Sequence, residues 1–442
     1  MSSDWHTLKV EEIAERVGMG PFGSSIKVET FVPEGVPIIS GQHLNNFVMQ
    51  EGSFRFITED HAERLSKSIV VAGDVVFTHA GNIGQVSVVP ENCKYSKYIL
   101  SQRQFFLRPR RNVANSVYLA LYFKSPQGQH QLLANASQVG VPSIARPVTY
   151  LRSIEVPIPS LAEQKRIAEV FVNLDDRITL LRETNKTLEA IAQAIFKSWF
   201  VDFDPVKAKM DGRQPAGMDE ETAALFPDEL VESELGLIPK GWEAIPFRTS
   251  INIIGGGTPK TSVSDYWGGD IPWFSVADVP AQSDVFVVDT EKRITHAGLS
   301  GSSAKLLPVG TTIITARGTV GRVALTSSPM AMNQSCYGLR GIAGDTFFTY
   351  LSTQRLVAQL KQKAHGSVFD TITQETFSGV QLCYPSSDAL MAFEELIGPF
   401  MQKIQTNVLM ANSLAELRDT LLPRLISGHL RVPIDEAETS EV

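Results

Sequence analysis

The chain has 442 residues, of which 43% are hydrophobic and 20% are charged, an ordinary globular composition whose length suggests about three domains. Its apolar stretches are too short to span a bilayer and its N-terminus lacks an apolar signal segment, so we expect a soluble protein of the cytoplasm. Three widely separated cysteines, Cys93, Cys336 and Cys383, exclude a disulfide framework and a zinc module built on paired cysteines.

The net charge of -8 argues against a nucleic-acid ligand only until the charges are located along the chain. Residues 92–154 contain nine bases and no acid, and residues 292–369 contain nine bases and the single acid Asp345. Each stretch fits a surface that binds phosphates. A basic surface without a ligand is the competing interpretation, and it weakens because the pattern occurs twice.

The chain begins with a strand-rich domain, which we place at residues 1–157. Short β-branched runs, such as residues 68–78 and 85–89, are punctuated by Gly and Pro, which predicts an α+β fold. We expect its aromatic residues to pack mainly in the core, with stacking on bases as the minor alternative. They are Tyr95, Tyr98, Phe105, Phe106, Tyr118, Tyr122 and Phe123.

Residues 158–200 predict a long helix with a heptad seam. The seam comprises Ile167, Phe171, Leu174, Ile178, Leu181, Asn185, Leu188, Ala192, Ile195 and Trp199. Ser160 with Glu163 resembles a capping box, and Pro205 helps to end the helix. The alternative to a coiled coil is an amphipathic core helix. The persistence of the seam favours the coiled coil. Asn185 would set the register, with a solvated helix end as the competing explanation.

Residues 201–240 form an acidic linker with ten acids and four bases. This segment is either disordered or packs as a short ordered excursion that carries Leu225, Phe226 and Leu230.

Beyond the linker the chain repeats itself. Residues 226 apart match from Ile154 with Val380 onward, an offset of 232 pairs Gln102 with Gln334, and an offset of 237 applies further upstream. We therefore predict a second α+β domain at residues 241–385, a second long helix at 386–428 and an acidic tail at 429–442. The second seam comprises Phe393, Ile397, Phe400, Ile404, Asn407, Ala411, Leu414, Arg418, Leu421 and Leu425.

This arrangement suggests a function in DNA binding. A helix of about 40 residues is roughly 60 Å long, whereas one turn of B-DNA rises about 34 to 36 Å. Two basic domains on such a rod would contact separated half-sites, and the rod would act as a ruler. Because the copies differ in their loops, we expect the half-sites to differ as well.

The sequence resembles the specificity (S) subunits of type I restriction-modification enzymes over nearly its whole length. The resemblance is strongest in residues 159–166 (PSLAEQKR), 196–205 (FKSWFVDFDP) and 420–427 (TLLPRLIS), and residues 18–27 (GMGPFGSSIK) look like the opening loop of a target-recognition domain. The second helix departs from the pattern, since residues 385–396 (PSSDALMAFEEL) lack the EQKRI run of the first.

The resemblance implies two target-recognition domains, each reading half of an asymmetric bipartite site on double-stranded DNA. It implies two antiparallel helices, forming a coiled coil, that hold two methyltransferase (M) subunits. The S subunit of the family has no active site and no cofactor of its own. The M subunits bind S-adenosylmethionine and methylate adenine, and motor-nuclease (R) subunits cleave with ATP and Mg.

The residues themselves agree with a non-catalytic role. No Pro-Pro dipeptide occurs for an adenine methyltransferase motif, and GGGTPKT at residues 255–261 lacks the spacing of a P-loop. The eight histidines show no metal-binding spacing. A structural adaptor whose basic domains bind acidic proteins is the main alternative, and a fused methyltransferase is disfavoured by the missing motifs.

Candidate DNA contacts are polar or basic side chains on glycine-rich loops, because such side chains read base edges and bind phosphates. Any one of them alone is more often an ordinary turn residue. In the first domain they are Ser24, Ser25, Lys27, Gln42, His43, Asn45, Asn82, Gln138, Ser143 and Arg146; in the second they are Thr258, Lys260, Thr261, Arg317, Thr319, Arg322, His365, Ser367 and Thr373.

Overall fold

A computed structural model describes residues 5–23, 25–137, 140–280, 284–363 and 371–432. The chain divides into two compact units, Met1–Asp176 with Leu414–Val442, and Arg177–Ser413. Each unit contains one strand-rich domain and a part of both long helices, so the predicted α+β repeat with two long helices is confirmed.

The first domain is built from short strands and helices. Its strands are β1 (His6–Lys9), β2 (Ala14–Met19), β3 (Val36–Ile39), β4 (Arg55–Ile57), β5 (Ile69–Val70), β6 (Val75–Thr78), β7 (Val86–Val88), β8 (Tyr98–Leu100), β9 (Gln104–Pro109), β10 (Ala136–Ser137), β11 (Ser143–Ile144) and β12 (Glu155–Ile158). Its helices are α1 (Val10–Ile13), α2 (Glu59–Arg64), α3 (Ser116–Lys124), α4 (Pro126–Leu133) and α5 (Pro147–Ser153), and the chain then enters the long helix α6 (Leu161–Phe200).

Two sheets form the body of this domain. One is antiparallel with the order β2-β9-β6-β7, and the other is mixed with the order β4-β3-β8-β5. Strand β1 pairs with β12 and so joins the two ends of the domain. The predicted aromatic core is confirmed, because six of the seven aromatic residues named above are fully buried and Tyr95 is half-buried.

The second unit contains the other domain and the segment that precedes it. Its strands are β13 (Leu230–Ser233), β14 (Gly236–Pro239), β15 (Glu243–Pro246), β16 (Ile251–Gly255), β17 (Trp267–Phe274), β18 (Phe286–Val287), β19 (Lys292–Ile294), β20 (Thr312–Thr315), β21 (Val323–Thr326), β22 (Ala331–Met332), β23 (Cys336–Gly341) and β24 (Gln381–Tyr384). Its helices are α7 (Asp204–Met210), α8 (Glu220–Ala224), α9 (His296–Ser300), α10 (Phe347–Lys363), α11 (Gln374–Ser378) and the long α12 (Ser387–Ile426).

The second domain repeats the main sheet order of the first, with the added strand β18 in one sheet and three strands instead of four in the other. Its sheets have the orders β16-β23-β20-β21-β18 and β19-β17-β22, and β15 pairs with β24 as β1 does with β12. Single hydrogen bonds repeat too: the Gly84 N–H donates to Thr78 O at 3.3 Å, and the Gly321 N–H donates to Thr315 O at 2.9 Å. The sequence offset of 237 therefore relates equivalent backbone positions.

One glycine in each copy allows a close backbone approach. A Cβ on Gly20 would lie 1.8 Å from the carbonyl oxygen of Ser101, and a Cβ on Gly256 would lie 1.9 Å from that of Asn333. Only glycine fits at such distances. The two glycines align the opening loops of the two domains residue by residue.

The acidic segment 201–240 is folded. Helices α7 and α8 and the hairpin β13-β14 surround a cluster in which Phe226 lies edge-on to Trp199, with 5.1 Å between the ring centroids. Val206 and Ile238 are buried in the same cluster, and Leu225 and Leu230 pack against it. Of the two alternatives for this segment, packing is the one that the structure shows.

The two long helices pair along the predicted seams, whose residues are all buried or half-buried. In the first unit, Arg418 Nη1 lies 2.8 Å from Asp175 Oδ1. In the second, the Asn407 side-chain N–H donates to Asn185 Oδ1 at 2.9 Å, and Phe196 packs against Phe393. Partner numbers fall as numbers on α6 rise, so the helices run antiparallel and form the predicted coiled coil.

Gln164, within the EQKR run, joins α6 to the first domain and is fully buried. Its side-chain oxygen accepts from the Asn115 N–H at 2.8 Å, and its amide donates to Val113 O at 3.1 Å and to Pro159 O at 3.0 Å. All three partners are backbone atoms: Val113 and Asn115 lie just before α3, and Pro159 lies just before α6. This glutamine of the run therefore holds the domain on its helix.

Glu394 makes the corresponding joint in the second copy, although α12 lacks the EQKR run. Its carboxylate accepts from the N–H groups of Thr346, Phe347 and Phe348, with shortest distances of 3.1, 2.8 and 2.7 Å. These N–H groups are unpaired donors at the start of α10, where a negative charge is favourable. Burial nevertheless raises the pKa of Glu394 against the lowering effect of the three donors.

Candidate nucleic-acid interface

A polar cleft of about 420 Å³ opens on the first domain. It brings together three of the predicted residues, Gln42, Asn45 and Asn82, and adds Arg103 and Gln85, which the sequence reasoning missed. Among the described residues, no acidic side chain lines it. Amides and a guanidinium without a nearby carboxylate are the groups that read base edges and bind phosphates.

The loops around this cleft are held by backbone hydrogen bonds. The Gly81 N–H donates to Pro142 O at 2.9 Å, and the Ile144 N–H donates to His79 O at 2.8 Å. These bonds place the half-buried Ser143 on strand β11 beside the loop that carries Asn82. Gln138 lies outside the described residues.

His43, between the cleft residues Gln42 and Asn45, is buried and supports their loop. Its Nδ1 accepts from the Ser40 N–H at 3.0 Å, and its ring stacks on Phe54 with 4.5 Å between centroids. Burial lowers the pKa of His43, which favours a neutral ring. Gln42, the next residue outward, is exposed.

The opening loop, residues 20–27, is attached to the turn that carries Arg103. The Gln102 side-chain N–H donates to Gly23 O, and the Ser25 hydroxyl donates to Phe22 O at 2.8 Å. Ser25 and Lys27 are exposed, whereas Ser24 lies outside the described residues.

Arg146 is exposed at the start of α5, and it has a left-handed backbone with φ of 46°. It is not among the residues that line the polar cleft.

The basic stretch 92–154 is partly neutralised in the folded domain. Arg108 makes a bidentate pair with the buried Asp74, at 2.8 and 2.7 Å. Lys97 pairs with Glu59 at 2.6 Å, and Arg111 pairs with Glu91 at 3.3 Å. Acids that are absent from the stretch in sequence therefore lie beside it in space, and Arg103 is among the bases left exposed.

In the second domain the loop with Arg317 and Thr319 is exposed, and it is held by the same backbone hydrogen bonds as the equivalent loop of the first domain. The Ala316 N–H donates to Ser335 O at 2.7 Å, as the His79 N–H donates to Arg103 O at 2.9 Å. Thr373 is exposed next to Ile372, whose N–H donates to Ala316 O at 3.0 Å. The structure brings these three predicted residues together, whereas His365 and Ser367 lie outside the described residues.

The other predicted residues of this domain separate from that group. Thr258 is half-buried and its hydroxyl donates to Gln334, and Lys260 is exposed. Thr261 lines a different pocket with Trp267 and Arg293.

Arg322 lines a second cleft, of about 380 Å³, and donates to Pro280 O at 3.1 Å. In this cleft the Gln354 side-chain N–H donates to Glu189 at 3.0 Å and to the Tyr350 hydroxyl at 2.7 Å. Tyr350 is buried, and desolvation raises its pKa well above the ordinary value. Sequence periodicity carried no signal for this network, which joins α6 to α10.

In the described ranges, no helix is both long and apolar enough to cross a membrane. Within the same part of the chain, no three His, Cys, Asp or Glu side chains are grouped so that they could hold a metal ion.

Comparison with known proteins identifies the family. The model of the type I restriction modification DNA specificity domain matches residues 2–190 and again residues 239–418. The HindI specificity subunit of Haemophilus influenzae is 28% identical over 418 residues, which cover 83% of this chain and 88% of that protein. The MjaIX specificity subunit of Methanocaldococcus jannaschii is 29% identical over 179 residues, 38% of this chain and 41% of that protein.

A solved structure supports the fold. The S subunit of a type I restriction-modification system from M. genitalium superposes with a TM-score of 0.58 at 15% identity, covering 98% of this chain and 97% of that one. The match of one family model to both halves, which include the two copies of the repeat, is decisive. The chain belongs to the type I restriction-modification specificity subunits, with two DNA specificity domains in tandem.

Proposed function

We propose that this non-catalytic subunit reads an asymmetric bipartite site on double-stranded DNA, one half with each domain, and holds two adenine methyltransferase (M) subunits. The observation that carries the proposal is that equivalent loops of the two domains are held by the same backbone hydrogen bonds but bear different side chains. Arg103 of the first domain corresponds to Ser335 in the second, and Gln85 corresponds to Arg322, by the backbone bonds they share. Loops with the same backbone but different polar side chains would contact different bases, so the two half-sites should differ in sequence.

The paired helices support the part of the proposal that concerns M subunits. Outside their buried seam they expose apolar side chains, among them Leu180, Met391 and Leu409 in the second unit and Leu417 in the first. Exposed apolar groups on a helix pair are suited to protein partners. In this proposal the M subunits bind S-adenosylmethionine, and motor-nuclease (R) subunits join with ATP and Mg for cleavage, in the cytoplasm.

The experiment that tests the proposal is methylation sequencing in a methylation-free host. The host expresses the neighbouring methyltransferase with this chain, and in parallel the methyltransferase alone. We expect one bipartite adenine-methylated motif that requires both proteins. Soluble, associated proteins without any motif would contradict the proposal.

Exchange of one domain tests whether each half-site has its own reader. Replacing residues 1–157 by those of a relative should change one half of the motif and leave the other half intact, because the contacts of each half come from one domain. A change in both halves would refute the modular assignment.

The salt dependence of binding distinguishes DNA recognition from the adaptor alternative. Binding through phosphate contacts requires duplex DNA and weakens linearly on a log-log scale with salt concentration, because counterions are released. An adaptor for acidic proteins would retain its partner in the absence of DNA. Titrating salt against a labelled duplex and against the M subunits distinguishes the two functions.

A further inference from the structure

Phe22 is a large aromatic side chain held out in solvent, with 74% of its surface exposed. The loop that carries it is fixed at several points. Gly20 lies against Ser101 O, the Gln102 side chain donates to Gly23 O, and the Ser25 hydroxyl donates to Phe22 O. An aromatic ring displayed on a fixed loop loses little conformational entropy when it binds.

A basic cleft of about 670 Å³ adjoins this ring. It is lined by Phe22, Arg16, Arg64 and Lys67 together with residues 18–21. Arg16 is used internally, since it donates to the carbonyl oxygens of Ser66 and Lys67 at 3.2 and 3.0 Å.

The other two cations of this basic cleft are available for a ligand. The side chains of Arg64 and Lys67 are exposed, and neither has an ion pair or hydrogen bond among the residues that the structure describes. In the described part of the chain, no acidic residue lines the cleft. Two such cations beside an apolar ring complement a phosphate backbone that carries bases.

The basic cleft lies next to the polar cleft of the first domain. The turn at residues 101–104 links them, because Ser101 and Gln102 contact the loop of Phe22 while Ser101 and Arg103 line the polar cleft. A duplex whose bases are read by the polar cleft would therefore extend toward Phe22.

The second domain has no equivalent ring. The alignment of Gly20 with Gly256 places Thr258 at the position of Phe22, and its hydroxyl donates to Gln334. Any contact made by Phe22 therefore concerns one half-site only.

We propose that Phe22 inserts against a base step at the edge of the first half-site and partly unstacks it, while Arg64 and Lys67 bind the flanking phosphates. This inference rests on the DNA-recognition function proposed above. Apolar wedges of this kind are a known means of contacting DNA, and stacking on an aromatic ring tolerates different bases.

The test uses the full chain assembled with its M subunits and a duplex that carries the motif found by methylation sequencing. 2-Aminopurine is placed at successive steps across and beside the first half-site, because its fluorescence rises when a base unstacks. We expect a rise at one step with the wild type and with Phe22→Trp, and none with Phe22→Ala. Affinity of Phe22→Ala should fall about tenfold, in line with the loss of one stacking contact.

Leu237→Ala is the matched control, because it truncates an exposed apolar side chain in the hairpin β13-β14 of the other unit. It should leave fluorescence and affinity unchanged. Arg64→Gln with Lys67→Gln should lower the slope of log affinity against log salt by about two. Phe22 lies outside the core, so circular dichroism should be unchanged in all variants.

Three outcomes overturn the inference, and they are distinguishable. Equal fluorescence and affinity for Phe22→Ala and the wild type refute the wedge but leave DNA recognition intact. Loss of M subunits from Phe22→Ala during purification assigns the ring to a protein contact instead. If the wild-type complex itself binds no duplex, the proposed function fails and the wedge fails with it.

Discussion

Asn185 and Asn407 form a buried amide pair in the helix seam of the second unit, and each is 1% exposed. The 2.9 Å hydrogen bond satisfies one donor and one acceptor, while Asn407 Oδ1 has no partner among the described residues. Replacing one asparagine by leucine leaves the other amide buried and unpaired, which costs about 1–3 kcal/mol. We therefore expect Asn185→Leu and Asn407→Leu each to be destabilised, by about 1–2 kcal/mol after the gain from the added apolar side chain.

The double variant should behave differently. With both amides removed, no polar group is stranded and two apolar side chains meet in the seam, as in coiled coils whose single polar position lowers stability. We expect it to equal or exceed the wild type, so that the coupling energy of the cycle is about 2 kcal/mol or more.

Urea unfolding followed by far-UV circular dichroism measures these free energies, with the transition of each compact unit fitted separately. Lys186→Leu, at the exposed neighbour of Asn185, is the control, and it should change stability by no more than about 0.5 kcal/mol. A double variant as unstable as the sum of the two single variants would refute the reasoning.

Three further substitutions test the joints and loops. Glu394, whose pKa is raised by burial, contributes stability at low pH that is lost as pH rises through its folded pKa; Glu394→Gln should flatten this dependence in unfolding experiments at several pH values. Arg108→Met leaves the buried carboxylate of Asp74 unpaired and should cost about 3–5 kcal/mol at neutral pH, a deficit that shrinks in acid as Asp74 is protonated. Gly20→Ala forces a Cβ against Ser101 O and should lower stability by about 1–3 kcal/mol, measured by thermal unfolding.

The repeat and the helix pairing could be predicted because their signals are local or periodic. Every position that the heptad spacing predicted is buried or half-buried, and the cap was read from Ser160, whose hydroxyl accepts from the Glu163 N–H at 3.2 Å. Asn185 was recognised from its seam position alone. Its partner Asn407 was also placed in a seam, but the pairing of these two residues depends on the register of the two helices, which only the tertiary structure shows.

The recognition surface could be predicted only in part. Glycine-rich loops indicated Gln42, Asn45 and Asn82, whereas Arg103 comes from a turn without that signal and reaches the cleft through long-range strand pairing. The folding of the acidic segment could not be predicted from its composition either, because the burial of Phe226 depends on aromatic partners distant in sequence.

Charge runs misled for a related reason. Residues 92–154 contain no acid, yet Arg108 is paired with a buried Asp74 that lies outside the run. A run along the sequence describes a surface only when its neighbours in space are known.

The joints made by Gln164 and Glu394 have a consequence for how new specificities arise. Both side chains belong to the long helices, and both grip the domains through main-chain atoms. A domain of different sequence that keeps the same helix start offers the same anchorage. Recombination between genes can therefore exchange a whole domain without changing the helix residue that anchors it. The side chains of the exchanged domain remain free to diverge.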